Sequence, residues 1–334
     1  SGINAEGWPR AFRWTAATGM VDLGLLPGGA FFGSSSVTGV SADGTRLVGT
    51  SWGPNAPTQA FQWTIAGGMV ALPAVKPGRY DGAAADISAD GLTIVGGAIG
   101  ESEQFEAAMW NGGIGVGLGF LPGGQAFSSA VDVSADGTVV VGESPSSAAD
   151  GEREAFRWTQ ADGMVGLGDL PGGLFRSGAR GVSADGSVVV GVGRTQFRDQ
   201  AFRWTSATGM VGLQQLSSAN DSVANAVSAD GSVVVGTEGG GSDSTAFLWT
   251  EAGGMQRVLD VLVANGATGL TGWTLNEVNA ISADGQWIVG KATNSLNERQ
   301  AFLANVAPIP IPAAVWLFGS ALGLMGWLRR RLPT

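Results

Sequence analysis

The sequence predicts an all-β fold: a β-propeller of six to seven four-stranded blades, followed by one C-terminal transmembrane helix. Three observations predict it. The phrase Ser-Ala-Asp-Gly occurs six times, starting at Ser41, Ser88, Ser134, Ser183, Ser228 and Ser282. A second marker, Ala-Phe-x-Trp-Thr and its variants, keeps the same beat from Ala11, Ala60, Ala107, Ala155, Ala201 and Ala246. Each unit of about 47 residues holds four short apolar runs separated by Gly-rich turns, and that arrangement is the mark of a propeller blade.

The first unit, Ala11 to Gly49, shows the parse. "AFRWT" alternates and reads as a strand; "GMVDL", "SVTGV" and "TRLVG" supply three more of about five residues each, the usual strand length. "LPGG" opens the longer connection, with Pro and Gly in turn roles. Asp-Gly between two apolar strands is a hairpin signal, and it predicts a type I′ turn with positive φ at both central residues. Asp43, Asp90, Asp136, Asp185, Asp230 and Asp284 are therefore read as structural turn residues. A calcium loop needs several carboxylates at alternating positions, whereas each phrase offers one, so no metal site is expected. The pairs Phe12 and Trp14, Phe61 and Trp63, Phe156 and Trp158, Phe202 and Trp204, and Phe247 and Trp249 are expected in the core between blades; stacking on glycans is the other reading of those Trp residues.

The sixth unit departs from the rest. Val258, Leu259, Leu262 and Val263 have helical spacing, ended by Asn265-Gly266. A last degenerate copy, "AFLAN" at 301–305, is expected to close the ring by pairing with a blade that contains the N-terminal region. Six units plus this copy make twenty-five strands. A further "SADG…VVG" hairpin before Ser1 would give a seventh blade; without it, six blades with a spare strand result. A β-helix or other solenoid is the alternative fold. The start, "SGINAEGWPR", has no basic stretch and no apolar run and does not read as a signal peptide.

Composition narrows the chemistry. The chain of 334 residues has no Cys and no His, which excludes disulfides, His-ligated zinc and Ser-His-Asp catalysis. Net charge is −10 even with three Arg at the extreme C-terminus, so binding to nucleic acid phosphates is not expected. The only lysines, Lys76 and Lys291, sit in no nucleophile motif. Glu101, Glu103, Glu106, Asp150, Glu152, Glu154 and Asp199 cluster before the Ala-Phe-x-Trp strands. They are the candidates for carboxylate acid–base chemistry, against the plain reading of solvated loops. No catalytic residue and no cofactor is assigned.

The tail has its own logic. The Pro-Ile-Pro-Ile-Pro run forces an extended linker at 306–312, and 313–334 reads as membrane helix plus Arg cluster, leaving 1–305 as the propeller. Pro312 to Leu328 is seventeen uncharged, mainly apolar residues, roughly 25 Å of helix and the lower limit for a span. Arg329, Arg330 and Arg331 follow and mark the cytoplasmic side. Gly319 and Gly323 offer a helix-pairing face.

"IPIPAAVWLFGSALGLMGWLRRR" resembles the PEP-CTERM class of sorting signals in its VPLPA variant, matching at Pro310, Pro312, Ala313 and the three arginines Arg329, Arg330 and Arg331. The resemblance implies an exosortase as processing partner, an inner-membrane-anchored precursor, cleavage near the motif, and release to the cell surface or extracellular matrix of a Gram-negative bacterium. The body resembles the HAF-repeat family of extracellular proteins through "AFRWT", "GMVDLG" and "GWTLNEVNAISADG". The family's His before Ala-Phe is replaced by Arg10, Gln59, Glu106, Glu154, Gln200, Thr245 and Gln300. No catalytic activity comes with the resemblance. The functional expectation is an exported structural or binding module meeting an extracellular polysaccharide or surface protein. A glycan-binding propeller and a carboxylate glycosidase or lyase are the alternatives.

Overall fold

In the computed structural model of the chain, the described residues are 2–4, 6–27, 33–53, 56–217 and 220–307. Strands β1 (Gly2–Ile3) and β2 (Pro9–Arg10) pair, and β3 (Phe12–Thr15) and β4 (Gly19–Asp22) form a hairpin. The first full blade is β5 (Ser34–Val40), β6 (Arg46–Gly53), β7 (Ala56–Thr64) and β8 (Gly68–Ala71). The second is β9 (Gly82–Ile87), β10 (Thr93–Ile99), β11 (Phe105–Asn111) and β12 (Ile114–Gly117). The third is β13 (Ser129–Val133), β14 (Val139–Pro145), β15 (Arg153–Thr159) and β16 (Gly163–Gly166). The fourth is β17 (Ser177–Val182), β18 (Val188–Arg194), β19 (Asp199–Thr205) and β20 (Gly209–Gly212). The fifth is β21 (Ser222–Val227), β22 (Val233–Glu238), β23 (Thr245–Thr250) and β24 (Gly254–Arg257). The sixth has three strands, β25 (Thr274–Ile281), β26 (Trp287–Thr293) and β27 (Arg299–Asn305). Each sheet is antiparallel, and its first strand lies beside the first strand of the next. Six such inner strands among the described residues make a six-bladed propeller, within the six to seven blades that the repeat predicts.

The blade is phased differently from the sequence unit. Each blade takes the second half of one unit and the first half of the next, because Ala-Phe-x-Trp is the third strand and not the first. The expected twenty-five strands are present, together with the two-residue β1 and β2. The closure expected for 301–305 is corrected by this phase. β27 pairs with β26 inside the sixth blade, and no described strand of β1–β4 joins that sheet. β4, a fourth strand by sequence, pairs with β3 instead.

The glycine that ends each Val-Val-Gly phrase has a steric reason. Every inner strand has a β-bulge, for example between Ala130 and Asp132 and between Ala179 and Gly181. The bulge pushes a carbonyl toward the second strand. A Cβ on Gly49, Gly96, Gly142, Gly191, Gly236 or Gly290 would lie 1.9–2.1 Å from that oxygen.

The six Ser-Ala-Asp-Gly turns are built alike, but not as type I′. Only the glycine has positive φ, as in Gly44 (67°) and Gly186 (69°); no turn aspartate does. Gly N–H donates to Ser C=O at 2.9 Å, so Ala and Asp are the central residues and Gly follows in the left-handed region. Such a turn needs one glycine rather than two residues of positive φ. The Ser183 hydroxyl donates to Asp185 at 2.7 Å, and Ser187 N–H donates to the same carboxylate at 3.0 Å. These bonds hold the carboxyls of Asp43, Asp185 and Asp230 down at about 2, with the serine hydroxyl the largest cause. The alanines then link the turns from blade to blade: Ala42, Ala89, Ala135, Ala184 and Ala229 each donate N–H to the carbonyl of the next turn's alanine at 3.0–3.1 Å. The phrase repeats because each copy is a rung of one hydrogen-bonded rim.

Serines staple neighbouring blades at the other end. Ser177 Oγ accepts from Ala155 N–H (3.0 Å) and donates to Gly168 C=O (2.6 Å). Ser35 and Ser128 make the same two bonds, and Ser222 accepts from Ala201 N–H. The core lies between blades: Phe202 packs with Val139, Val141, Ala155 and Leu167 of the preceding blade. Phe61, Phe156, Phe202 and Phe247 are fully buried, as expected, whereas Phe12 is only partly buried. The tryptophans are not fully buried. Trp14 is 63% exposed, and Trp63, Trp158, Trp204 and Trp249 are half-buried. They sit beside the third-to-fourth strand turn, opposite Met69, Met164, Met210 and Met255 on the outer strand, where the neighbouring blade covers them less.

Helix α1 (Val258–Ala264) forms where the helical spacing placed it and buries Val258 and Leu262 against the fifth and sixth blades. Among the described residues no helix is long and apolar enough to cross a membrane. The tail residues Pro310, Pro312, Ala313, Arg329, Arg330 and Arg331 lie outside the described residues.

Candidate functional site

Antiparallel order sorts the loops by face. The Ser-Ala-Asp-Gly turns and the third-to-fourth strand turns lie at one end of the blades. The second-to-third connections and the links between blades lie at the other. Glu101, Glu103, Asp150 and Glu152 sit in the connections of this second face, with Asp199 at the start of β19. All five fall on one face, as their shared place in the repeat implied.

Partners make several of the sequence-predicted carboxylates structural. Glu103 takes Lys76 Nζ at 2.7 Å and Arg79 Nη1 at 3.0 Å. The bond from Lys76 is the main reason its carboxyl is held below the ordinary range. Lys76 also donates to the carbonyl of Glu101. Glu106 and Glu154 reach across their blade to cap Gly119 and Gly168 N–H, and Glu154 also accepts from the Ser146 hydroxyl. Gln200, at the same position, donates to Leu213 C=O. Thus in these three blades the residue before the third-strand alanine pins the loop after the fourth strand. Burial pushes the Glu106 carboxyl up.

Between the third and fourth blades this face opens into a groove of about 400 Å³, lined by Glu143, Glu152, Arg153, Arg176, Arg180 and Asp199. Arg153 pairs with Glu143, and its guanidinium lies 5.2 Å over the Phe127 ring, which stacks on Phe105. Arg194 holds Asp199 at 2.9 Å, and Arg176 stands 3.9 Å from the same carboxylate. Arg176 and Arg180 are exposed. A second groove of about 670 Å³ lies between the fifth and sixth blades and contains the Glu277–Lys291 pair and Arg299.

Asp86 and Asp132 form a further acidic feature, absent from the sequence-based candidates. They occupy the same position on adjacent inner strands β9 and β13, just after the bulge. Asp132 Oδ1 accepts from Val133 N–H at 2.9 Å, and Oδ2 accepts from Val182 N–H of the next blade at 2.7 Å. The two carboxyls stand close enough for their charges to interact. Burial, then the charge of Asp132, pushes Asp86 well above the ordinary carboxylate range, and burial also raises Asp132. The signal was present in the alignment of repeats: the other four blades carry Gly39, Gly181, Ala226 and Ala280 at this position. Among the described residues no group of three or more acidic side chains is placed to hold a metal ion.

No protein-family model matches the chain, and no curated protein matches its sequence. Solved structures do. A protein described as TolB from Agrobacterium tumefaciens aligns with TM-score 0.50 and 14% identity over 83% of this chain and 90% of its own. The β-propeller domain of the trilobed protease from Pyrococcus furiosus, of open velcro topology, aligns with TM-score 0.54 and 11% identity over 83% of both chains. An acylaminoacyl peptidase aligns with TM-score 0.50 and 11% identity over 81% of this chain and 44% of its own. These likenesses show the propeller fold.

Proposed function

We propose that this chain is an exported structural or binding module of the cell surface or extracellular matrix, not an enzyme, and that its loop face meets an extracellular polysaccharide or a surface protein. The observation that carries this reading is the division of labour in the repeat. What recurs is consumed by the rim, the bulges and the staples, while what varies is concentrated on the loop face, where Arg176 and Arg180 are presented to solvent. Glu103 and Asp199 are held in ion pairs and Glu106 and Glu154 in backbone caps, which supports binding over acid–base chemistry. Asp132 does not favour a glycosidase role, because both of its carboxylate oxygens accept from backbone N–H groups, those of Val133 and Val182. The exposed Trp14, Trp52 and Trp287 lie on three different sheets, which does not favour a single stacking platform for a glycan.

Export rests on the sequence of the tail. The helix from 313 holds the precursor in the inner membrane, Arg329, Arg330 and Arg331 fix its cytoplasmic end, and an exosortase cuts near Pro310, Pro312 and Ala313. Fractionation with intact-mass measurement, in Gram-negative hosts with and without an exosortase, tests this. The expected result is surface protein lacking Val315 to Thr334 only when the enzyme is present. Replacing Pro310, Pro312 and Ala313 should leave anchored, uncut precursor. Surface protein that keeps its whole tail beside an active exosortase contradicts the proposal.

A further inference from the structure

The bulge of the inner strands has a recurring use. Its extra residue is Thr38, Ala85, Val131, Arg180, Asn225 and Asn279 in the six blades in order. Two short polar side chains at this position brace the next blade. Thr38 Oγ1 donates to Ala84 C=O at 2.8 Å, and Asn225 Nδ2 donates to Val278 C=O at 2.8 Å. Arg180 departs from this. It is the one charged residue among the six, it is exposed, and it has no hydrogen-bond or ion-pair partner among the described residues. Its guanidinium adds no such brace; it lines the groove between the third and fourth blades instead.

The same groove holds a second open guanidinium. Arg176 stands 3.9 Å from Asp199 Oδ2, but Arg194 already holds Asp199 Oδ1 at 2.9 Å, and the Arg176 side chain is 57% exposed. Arg153 is committed to Glu143 and to the Phe127 ring. The chain has a net charge of −10, so two uncommitted arginines in one groove are a local reversal of sign. A guanidinium matches a carboxylate through two parallel N–H bonds. The rest of the lining narrows the ligand. Glu152 has no ion-pair partner among the described residues, and Glu143, Asp199 and the apolar Val192 lie in the same groove. Such carboxylates repel a peptide dense in acids, yet they accept from hydroxyls. A sugar acid brings one carboxylate and several hydroxyls on a single ring.

We propose that this groove binds an acidic polysaccharide of the uronate type, with Arg176 and Arg180 taking sugar carboxylates and Glu152 accepting from ring hydroxyls. The proposal rests on the reading of the loop face as a binding surface and names its ligand.

The test is a calorimetric titration of the full chain, in neutral detergent at low ionic strength, with a short oligogalacturonate, its methyl ester and an oligoglutamate peptide. The oligogalacturonate should bind saturably and lose affinity as salt is added. The methyl ester keeps the hydroxyls and loses the charge, and it should bind about tenfold more weakly or worse. Arg176→Gln and Arg180→Gln should each weaken oligogalacturonate binding by about tenfold, the range of one charge-assisted hydrogen bond. Their melting temperatures should not change, because both side chains are exposed. Arg299→Gln, in the groove between the fifth and sixth blades, should leave binding as it is. Arg329, Arg330 and Arg331 also attract anions but stay in every variant, so the difference between variants reads the groove alone. The proposal is overturned by no binding of the oligogalacturonate, by equal binding of its ester, by undiminished binding in the two Gln variants, or by tighter binding of the oligoglutamate. In the last case, loss of oligoglutamate affinity in the same two variants would make the ligand an acidic surface protein and leave the reading of the loop face standing.

Discussion

Gly191→Ala should lower stability by about 4 kcal/mol or prevent folding, the range of the most damaging core substitutions. A Cβ at this position would stand 2.1 Å from the Gly178 carbonyl oxygen, 3.0 Å from Ala179 Cα and 3.0 Å from the Phe202 ring. Two of those neighbours are backbone atoms, and the bulge between Ala179 and Gly181 fixes them. The ring cannot retreat, because Phe202 is fully buried against the third blade. Relief would require opening the bulge, and with it the packing of the fourth blade on its neighbours. Gly209→Ala is the control. That glycine has φ of +66° and nothing within 4 Å of a new Cβ, so the cost is the left-handed penalty alone, about 1–2 kcal/mol. Denaturant midpoints compare the two. Equal losses would mean that the Val-Val-Gly glycines are not sterically required.

Asp132→Ala should cost about 3 kcal/mol, because it leaves the N–H groups of Val133 and Val182 without their acceptor and each unsatisfied group costs about 1–3 kcal/mol. Asp86→Asn should do something different. Burial and the neighbouring Asp132 raise the folded-state pKa of Asp86 well above its unfolded value. The folded chain therefore binds a proton that the unfolded chain has released, and stability falls as pH rises from about 4 toward the folded value. Asn carries no charge, so the variant should gain on the wild type throughout that window. The turn aspartates act in the opposite sense. Their pKa values are lowered, to about 2 for Asp43, Asp185 and Asp230, so their contribution is present above about pH 4 and is lost as pH falls toward 2. Both chains should share that acid limb. Melting curves from about pH 2 to about pH 9 check the pair, and parallel profiles above pH 4 would show that Asp86 is not raised in the folded chain.

The repeat made the propeller legible because two markers with one period fix strand number and order without any tertiary information. The blade's phase was not legible, since a periodic pattern has no intrinsic origin and only strand pairing shows that Ala-Phe-x-Trp is third. The turn type was misread for a local reason. Asp-Gly alone suggests type I′, but the preceding Ser and Ala shift the turn back by one residue, leaving Gly as the sole left-handed position. Trp was expected beside Phe because both share a strand face, yet wedge-shaped blades cover the strand's middle better than its end. The groove of Arg153, Arg176 and Arg180 joins residues from two blades, so no single stretch announces it. Asp86 and Asp132 could have been found by aligning the inner strands and asking where an acid replaces Gly or Ala.

Amide hydrogen exchange at the six turn alanines tests most directly that the repeated phrase is a blade-to-blade rim. Ala42, Ala89, Ala135, Ala184 and Ala229 donate to the next turn and should be strongly protected. Ala283, with no following turn among the described residues, should exchange near the rate of an open amide. Six alanines exchanging alike, or the first five exchanging freely, would contradict the account.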